Sequence, residues 1–272
     1  PEHPPTLHSL PTRRSSDLGP ESGKRASASY LVKRDGKALI LVDFGGGTFL
    51  RFAQSKAKIE ELEAILFTHL HIDHTVDLPA LMKAGYFSQR TRSLPIVGPE
   101  KNDYFPGLKE SLKLQFGTQG AYRYMSDILG SQSDSFSILP YEVGAQKKLN
   151  FQGIKIRSLP VHHGIVHSLA YKIEIDGKHI VISGDTNTQG KNLELLSEGA
   201  DILIAHHAMP QEGYPRASDL HMTPERIGQV AAFARPKILL LSHRMKRTYG
   251  LEDKSIKIIQ KVYSGKIIWA ED

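Results

Sequence analysis

Apolar residues recur along this chain in short runs, each closed by a glycine, a charged turn or a histidine. Ser29–Lys33 and Ala38–Val42 flank Asp35-Gly36, which predicts two strands joined by a tight hairpin. A glycine loop, Asp43-Phe44-Gly45-Gly46-Gly47, follows. Ile59–Ala64 predicts a short helical piece, Ala64–Phe67 a buried strand, Val76–Phe87 a helix and Leu94–Val97 another strand, stopped by Gly98-Pro99. Between about 100 and 150 the spacing turns helical at Tyr104–Phe116 and Ala121–Leu129. Strands then resume at Phe151–Leu159, Ser168–Ile175 and, past the Asp176-Gly177 turn, His179–Ser183. A helix at Asn192–Glu198, a strand at Asp201–Ala205, a helix at Thr223–Ala234 and a strand at Lys237–Ser242 complete the pattern. Thr223-Pro224 marks that last helix start, with proline at its first position. Both halves run from a hairpin into β–α units, which predicts an α/β chain of two packed sheets with helices outside.

Composition narrows this picture. With 40% hydrophobic and 24% charged residues in 272, the chain can bury a substantial core. No apolar run approaches the roughly 20 residues of a membrane span. Residues 1–18 hold four prolines and no apolar period. Pro11–Leu18 resembles translated sequencing-adapter read-through, so 1–18 is expected to be non-native or disordered, with 19–272 forming a single domain. A cytoplasmic location is favoured, with a signal peptide upstream of residue 19 left open. The absence of cysteine excludes disulfides, thiolate-bound zinc and thiol nucleophiles. A net charge of +6 leans weakly toward anionic substrates.

The candidate chemistry is concentrated in Thr68-His69-Leu70-His71-Ile72-Asp73-His74, directly behind the strand Ala64–Phe67. Packed together without a cation, these groups would lose hydration and repel when protonated. Imidazole and carboxylate without thiolate suit zinc, with manganese or iron as alternatives. Further metal-competent residues occur at strand ends downstream: His162-His163, Asp185 and His243. Four such placements point to a hydrolytic metal centre.

At these residues the chain resembles the metallo-β-lactamase superfamily, whose signature is His-x-His-x-Asp-His. The resemblance runs from about residue 26 to the C-terminus and implies a four-layer αββα sandwich. It implies that His69, His71 and His163 hold one divalent cation, that Asp73, His74 and His243 hold a second, and that Asp185 bridges them. His163 is preferred to its neighbour His162 because the family often carries this ligand directly before glycine. His162 and Asp43 are then expected to stand behind the ligands. Two such cations lower the pKa of a shared water toward about 7, giving hydroxide at neutral pH. Asp73 can orient that hydroxide while ligating.

Leu94-Pro-Ile-Val-Gly-Pro99, Asp219-Leu-His-Met-Thr223 and Leu239–His243 resemble the ribonuclease Z branch. His221 corresponds to the histidine that protonates the leaving group there, or else it caps or packs. The branch's His-Glu-Ala-Thr element reads His206-His207-Ala208-Met209 here, so its glutamate is absent. No exosite that would grip tRNA is evident, and the 100–150 stretch reads as a helical lid over a small-substrate pocket. His206, His207 and Arg244 are expected to contact substrate. The leading expectation is a dinuclear phosphodiesterase acting on a small or nucleotide-like anion, with RNA less favoured and a homodimer allowed. The alternatives are hydrolysis of a carboxyl ester, thioester, lactone or aryl sulfate, and a non-catalytic metal scaffold. His71 stands where redox diiron members usually carry glutamate, which disfavours redox chemistry.

Overall fold

The computed structural model describes the backbone of residues 6–8, and residues 25–130, 133 and 135–270. Among them the strands form two mixed sheets. The first runs in the order β1 (Thr6–His8), β2 (Tyr30–Arg34), β3 (Lys37–Val42), β4 (Ala64–Leu66), β5 (Leu94–Pro99) and β6 (Ile138–Val143). β1 to β3 pair antiparallel and β3 to β6 parallel. Asp35-Gly36 turns the β2–β3 hairpin with φ of 51° and 78°, as a two-residue turn with both central residues left-handed requires.

The second sheet repeats this plan. β7 (Lys147–Phe151), β8 (Ile154–His163), β9 (Val166–Ile175) and β10 (Lys178–Ile182) form an antiparallel meander. β11 (Ile202–His206), β12 (Ile238–Ser242) and β13 (Lys266–Trp269) then extend it in parallel from β10.

Strand alternation divides the apolar residues among three cores. Val32, Ile40, Val42, Leu66, Tyr171, Ile173, Ile182 and Ile204 meet between the sheets. Leu41, Ile65 and Ile96 face outward from the first sheet, onto α1 (Thr48–Gln54) and onto the helix that follows the metal-competent turn. That turn is α2 (Ile72–Thr75) and the longer helix is α3 (Leu78–Tyr86). Val181, Leu203, Leu239 and Leu241 face outward from the second sheet. Covering them are α5 (Asn192–Ser197), α7 (Pro224–Ala234) and α8 (Glu252–Ile259), counting α4 (Leu108–Phe116) and α6 (Pro215–Ser218) between. The layers are helix, sheet, sheet, helix, as expected.

Two expectations require correction. The 100–150 stretch is not a helical lid. Leu108, Leu112 and Phe116 of α4, spaced four apart, bury with Met125 and Ile128 in the core outside the first sheet, and residues 138–143 and 147–151 are edge strands, one of each sheet. The strand expected at Phe151–Leu159 is divided by the Gln152-Gly153 turn. Of the N-terminal segment set apart by composition, Thr6–His8 run antiparallel to β2, and the rest of residues 1–18 lies outside the described residues. Among the described residues no helix is long and apolar enough to cross a membrane.

Three hydrogen bonds tie the sheets together at one edge. Tyr171 Oη donates to the Phe67 carbonyl (2.8 Å), Leu169 N–H to the Thr68 carbonyl (2.8 Å), and the Tyr30 and Ser242 hydroxyls meet at 2.5 Å. That edge holds the histidines.

Candidate metal centre

Seven ligand candidates from four separate chain segments converge at this edge. His69, His71, Asp73 and His74 come from the turn behind β4, His163 from the last position of β8, Asp185 from the loop after β10 and His243 from the loop after β12. Ligand atoms fall into groups that lie within 4.8 Å of one another: His69, His71 and His163; Asp73, His74 and His243; His69, His74 and Asp185. His163, Asp185 and His221 form a further such group.

The backbone is bent to achieve this. Asp43 and His243 adopt φ of 57° and 54°, a left-handed conformation that side-chained residues rarely take. Gly184, at φ 60°, brings Asp185 in; a Cβ there would stand 2.5 Å from the Leu169 carbonyl. Gly45 permits the Asp73 backbone to pack, since a Cβ would fall 1.8 Å from the Asp73 carbonyl oxygen.

Two of the imidazoles, His74 and His163, are aimed by a partner behind them. His74 Nδ1–H donates to Asp43 Oδ2 (2.8 Å), leaving Nε2 toward His243 Nε2 at 3.1 Å. Asp43 is itself fixed by Thr68, whose N–H donates to Oδ1 (2.7 Å) and whose hydroxyl donates to Oδ2 (2.8 Å). His163 Nδ1–H donates to the Leu220 carbonyl (2.8 Å), which turns its Nε2 toward Asp185 Oδ2 at 3.9 Å. Such partners set the tautomer of a metal-binding histidine.

The donors fit a small divalent cation. Ligand nitrogens about 2.0–2.1 Å from a tetrahedral zinc lie ~3.3 Å apart. Here His69 Nε2 and His71 Nδ1 are 2.9 Å apart, and His243 Nε2 is 3.6 Å from both Asp73 Oδ2 and Asp185 Oδ1. Asp185 is buried, its Oδ1 has no hydrogen-bond partner among the described residues, and its two oxygens face different histidines. A buried carboxylate so placed needs positive charge beside it.

The electrostatics agree. Burial, with the neighbouring imidazoles, holds His69 well below the usual histidine range and also lowers His71 and His163. Burial opposes ionisation of Asp73, yet His243 and His74 outweigh it and bring this carboxyl down to about 2. Asp185 is likewise held well below the carboxylate range, against its burial, by His243, His206 and His74. In His74 burial is overcome by the Asp43 charge and hydrogen bond, which raise it. Ionised carboxylates and mostly neutral imidazoles are the protonation states that a cation requires.

Three expected site residues lie elsewhere. His162 is exposed and sits across from His167; adjacent strand residues point to opposite faces, so only one of His162 and His163 can face the cluster. His207 is buried beneath α8, with Nε2 2.9 Å from Ser255 Oγ and its ring edge-on to Trp269 at 5.0 Å. Arg244 is buried between the Tyr249 and Trp269 rings and pairs with Glu252 at 3.4 Å. His206 does join the cluster, but from behind: it is buried, 5.3 Å from the His221 ring, with Nδ1 3.4 Å from Ser183 Oγ. Thr68 escaped notice because nothing in its sequence context marks it, although it lies beside the first histidine.

A family profile described as a beta-lactamase superfamily domain matches residues 39–244. The chain belongs to the metallo-β-lactamase superfamily. Within the superfamily it is similar to the ribonuclease Z of Mycobacterium sp. (strain KMS), 29% identical over 237 residues, covering 81% of this chain and 78% of that protein. Its fold matches the metallo-beta-lactamase fold protein YhfI from Bacillus subtilis with a TM-score of 0.74 at 22% identity, covering 96% and 95% of the two chains. It also matches the short form of human tRNase Z with a TM-score of 0.71 at 20% identity, covering 98% and 96%. The protein is a metal-dependent hydrolase.

Proposed function

We propose that this superfamily member is a phosphodiesterase working with two divalent cations, zinc first, on a nucleotide-like anionic substrate. His69, His71 and His163 would hold one cation, Asp73, His74 and His243 the other, with Asp185 shared. Such cations supply Lewis-acid polarisation and hydroxide at neutral pH. The observation that carries the reading is His221: an eighth group, outside the two ligand triplets, whose Nδ1 stands 3.6 Å from Asp185 Oδ2.

The chain's own residues have separable tasks. Asp73 and Asp185 stay ionised and concentrate negative charge where cations are needed. Asp73, partly exposed where Asp185 is buried, is the carboxylate able to reach and orient the attacking group. His221 is pulled down to about 3, first by burial. His221 would be the imidazole placed to give a proton to the departing oxygen. Ribonuclease Z relatives support a nucleotide or RNA substrate. Purified protein supplied with zinc or manganese should hydrolyse bis-p-nitrophenyl phosphate. Turnover no higher than that of His71→Ala would contradict the reading.

A further inference from the structure

The loop between β5 and α4 is built around one side chain. Asn102 Oδ1 accepts hydrogen bonds from the N–H groups of Tyr104 (2.9 Å) and Phe105 (2.8 Å). Its Nδ2 donates to the carbonyl of Ile165 (2.9 Å), and its own N–H donates to the Phe105 carbonyl (3.1 Å). Ile165 is two residues past the ligand candidate His163, at the tip of the β8–β9 hairpin. Asn102 therefore fastens this loop to the rim of the metal centre. The Phe105 ring is half-buried and edge-on to the His71 ring, 6.4 Å away.

The side chains held there are apolar and open to water. Tyr104 is 70% exposed, Ile165 58%, and Ile72, between two ligand candidates, 65%. Folding leaves large apolar side chains exposed singly in many places, but a fixed group beside a buried polar cluster is a binding feature. An acyl chain would need an enclosed apolar channel. An exposed ring beside a half-buried one on a braced loop instead suits a planar group that stacks while its polar edge stays in water.

We propose that the 102–105 loop is a stacking platform for one unpaired nucleobase adjoining the scissile phosphodiester, with Phe105 and Tyr104 supplying the ring faces and Asn102 positioning them. This rests on the phosphodiesterase reading above. It makes Phe105 and Tyr104 determinants of specificity for nucleoside-bearing substrates over other phosphodiesters.

Calorimetric binding to the zinc-supplied protein tests this, with 5′-AMP and ribose 5-phosphate as probes differing only in the base. Stacking on an aromatic side chain should make AMP roughly 5- to 150-fold the tighter ligand. The Tyr104→Ala/Phe105→Leu double variant should lose that preference at least fivefold, and Phe105→Trp should keep it. A hexameric oligoadenylate forms the second arm: affinity above that of AMP assigns the base to an RNA end, and equal affinity to a free nucleotide, with the same loss in the double variant in either case. A wild-type protein that hydrolyses bis-p-nitrophenyl phosphate yet binds AMP no better than ribose 5-phosphate would overturn the platform alone. A preference that survives in the double variant would do the same. Failure of the hydrolysis itself would overturn the reading beneath it.

Discussion

Replacing Asp43 by asparagine removes one charge and reverses the two hydrogen bonds made by Oδ2, to the Thr68 hydroxyl and to His74, without changing side-chain shape. In the native protein Asp43 Oδ2 accepts from both Thr68 Oγ1 and His74 Nδ1, while Oδ1 accepts from the Thr68 N–H. The asparagine carbonyl can keep the Thr68 N–H bond, so its amide nitrogen must face His74. His74 Nδ1 then has to accept, and the ring proton moves to Nε2, the atom 3.1 Å from His243 and 3.7 Å from Asp73 Oδ2. A cation can bind there only after that proton is displaced. A hydrogen bond to a charged group contributes about 1.5–3 kcal/mol. Loss of an outer partner of a metal-binding histidine usually weakens metal affinity ~10- to 100-fold, or about 1.4–2.7 kcal/mol; the two estimates agree. Asparagine tolerates the left-handed backbone at φ 57°, so strain does not confound the comparison. Zinc affinity measured by competition with a chromophoric chelator should fall ~10- to 100-fold in Asp43→Asn, with the thermal transition of the metal-free protein still cooperative. An affinity within twofold of wild type would refute the argument that Asp43 sets the His74 tautomer.

Other outcomes follow from the same geometry. His221→Ala should lower kcat by ~10²- to 10⁴-fold with metal content by plasma emission spectrometry unchanged; loss of metal would make His221 a ligand instead. His207→Leu should lower the urea-derived stability by about 1–3 kcal/mol, because Ser255 Oγ loses its buried partner, while KM stays within twofold; a tenfold rise in KM would return His207 to the substrate site. Burial lowers His69, His71, His163, His206, His207 (to about 4) and His221 (to about 3) in the fold, so they take up protons on unfolding once the pH falls below the ordinary 6.5. Their contribution to stability is full above that pH and lost as it falls toward the folded values; His74, raised, opposes them. The Tm of metal-free protein should therefore decline from pH 6.5 toward pH 4, and a flat Tm over that range would contradict it.

The ligand candidates were legible in the sequence because each follows an apolar run that could only be a buried strand, and strands of one sheet end at a common edge. His163 could be separated from His162 by resemblance alone; the structure adds strand alternation, which exposes His162. Two neighbours misled: His207, read from the element that stands for His-Glu-Ala-Thr, and Arg244, read from its adjacency to the ligand candidate His243. His207 and Arg244 follow His206 and His243 by one residue, yet a one-residue step carries each side chain into the core beneath α8. The 100–150 stretch misled because α4 has the amphipathic spacing of any surface helix, which does not say which sheet it covers. Edge strand β6 escaped detection because its middle, Leu139 to Glu142, is mostly uncovered and contains Pro140. Helix α8 and strand β13 went unread, and α8 is what encloses His207.

The central claim is that two cations together make the hydrolytic centre. Stepwise zinc addition to metal-free protein, with bound metal counted by plasma emission spectrometry and bis-p-nitrophenyl phosphate turnover followed in parallel, tests it most directly. Turnover should reach its plateau at two zinc ions per chain, and His71→Ala should fail to reach it. A plateau at one ion per chain, or turnover independent of metal, would contradict the claim.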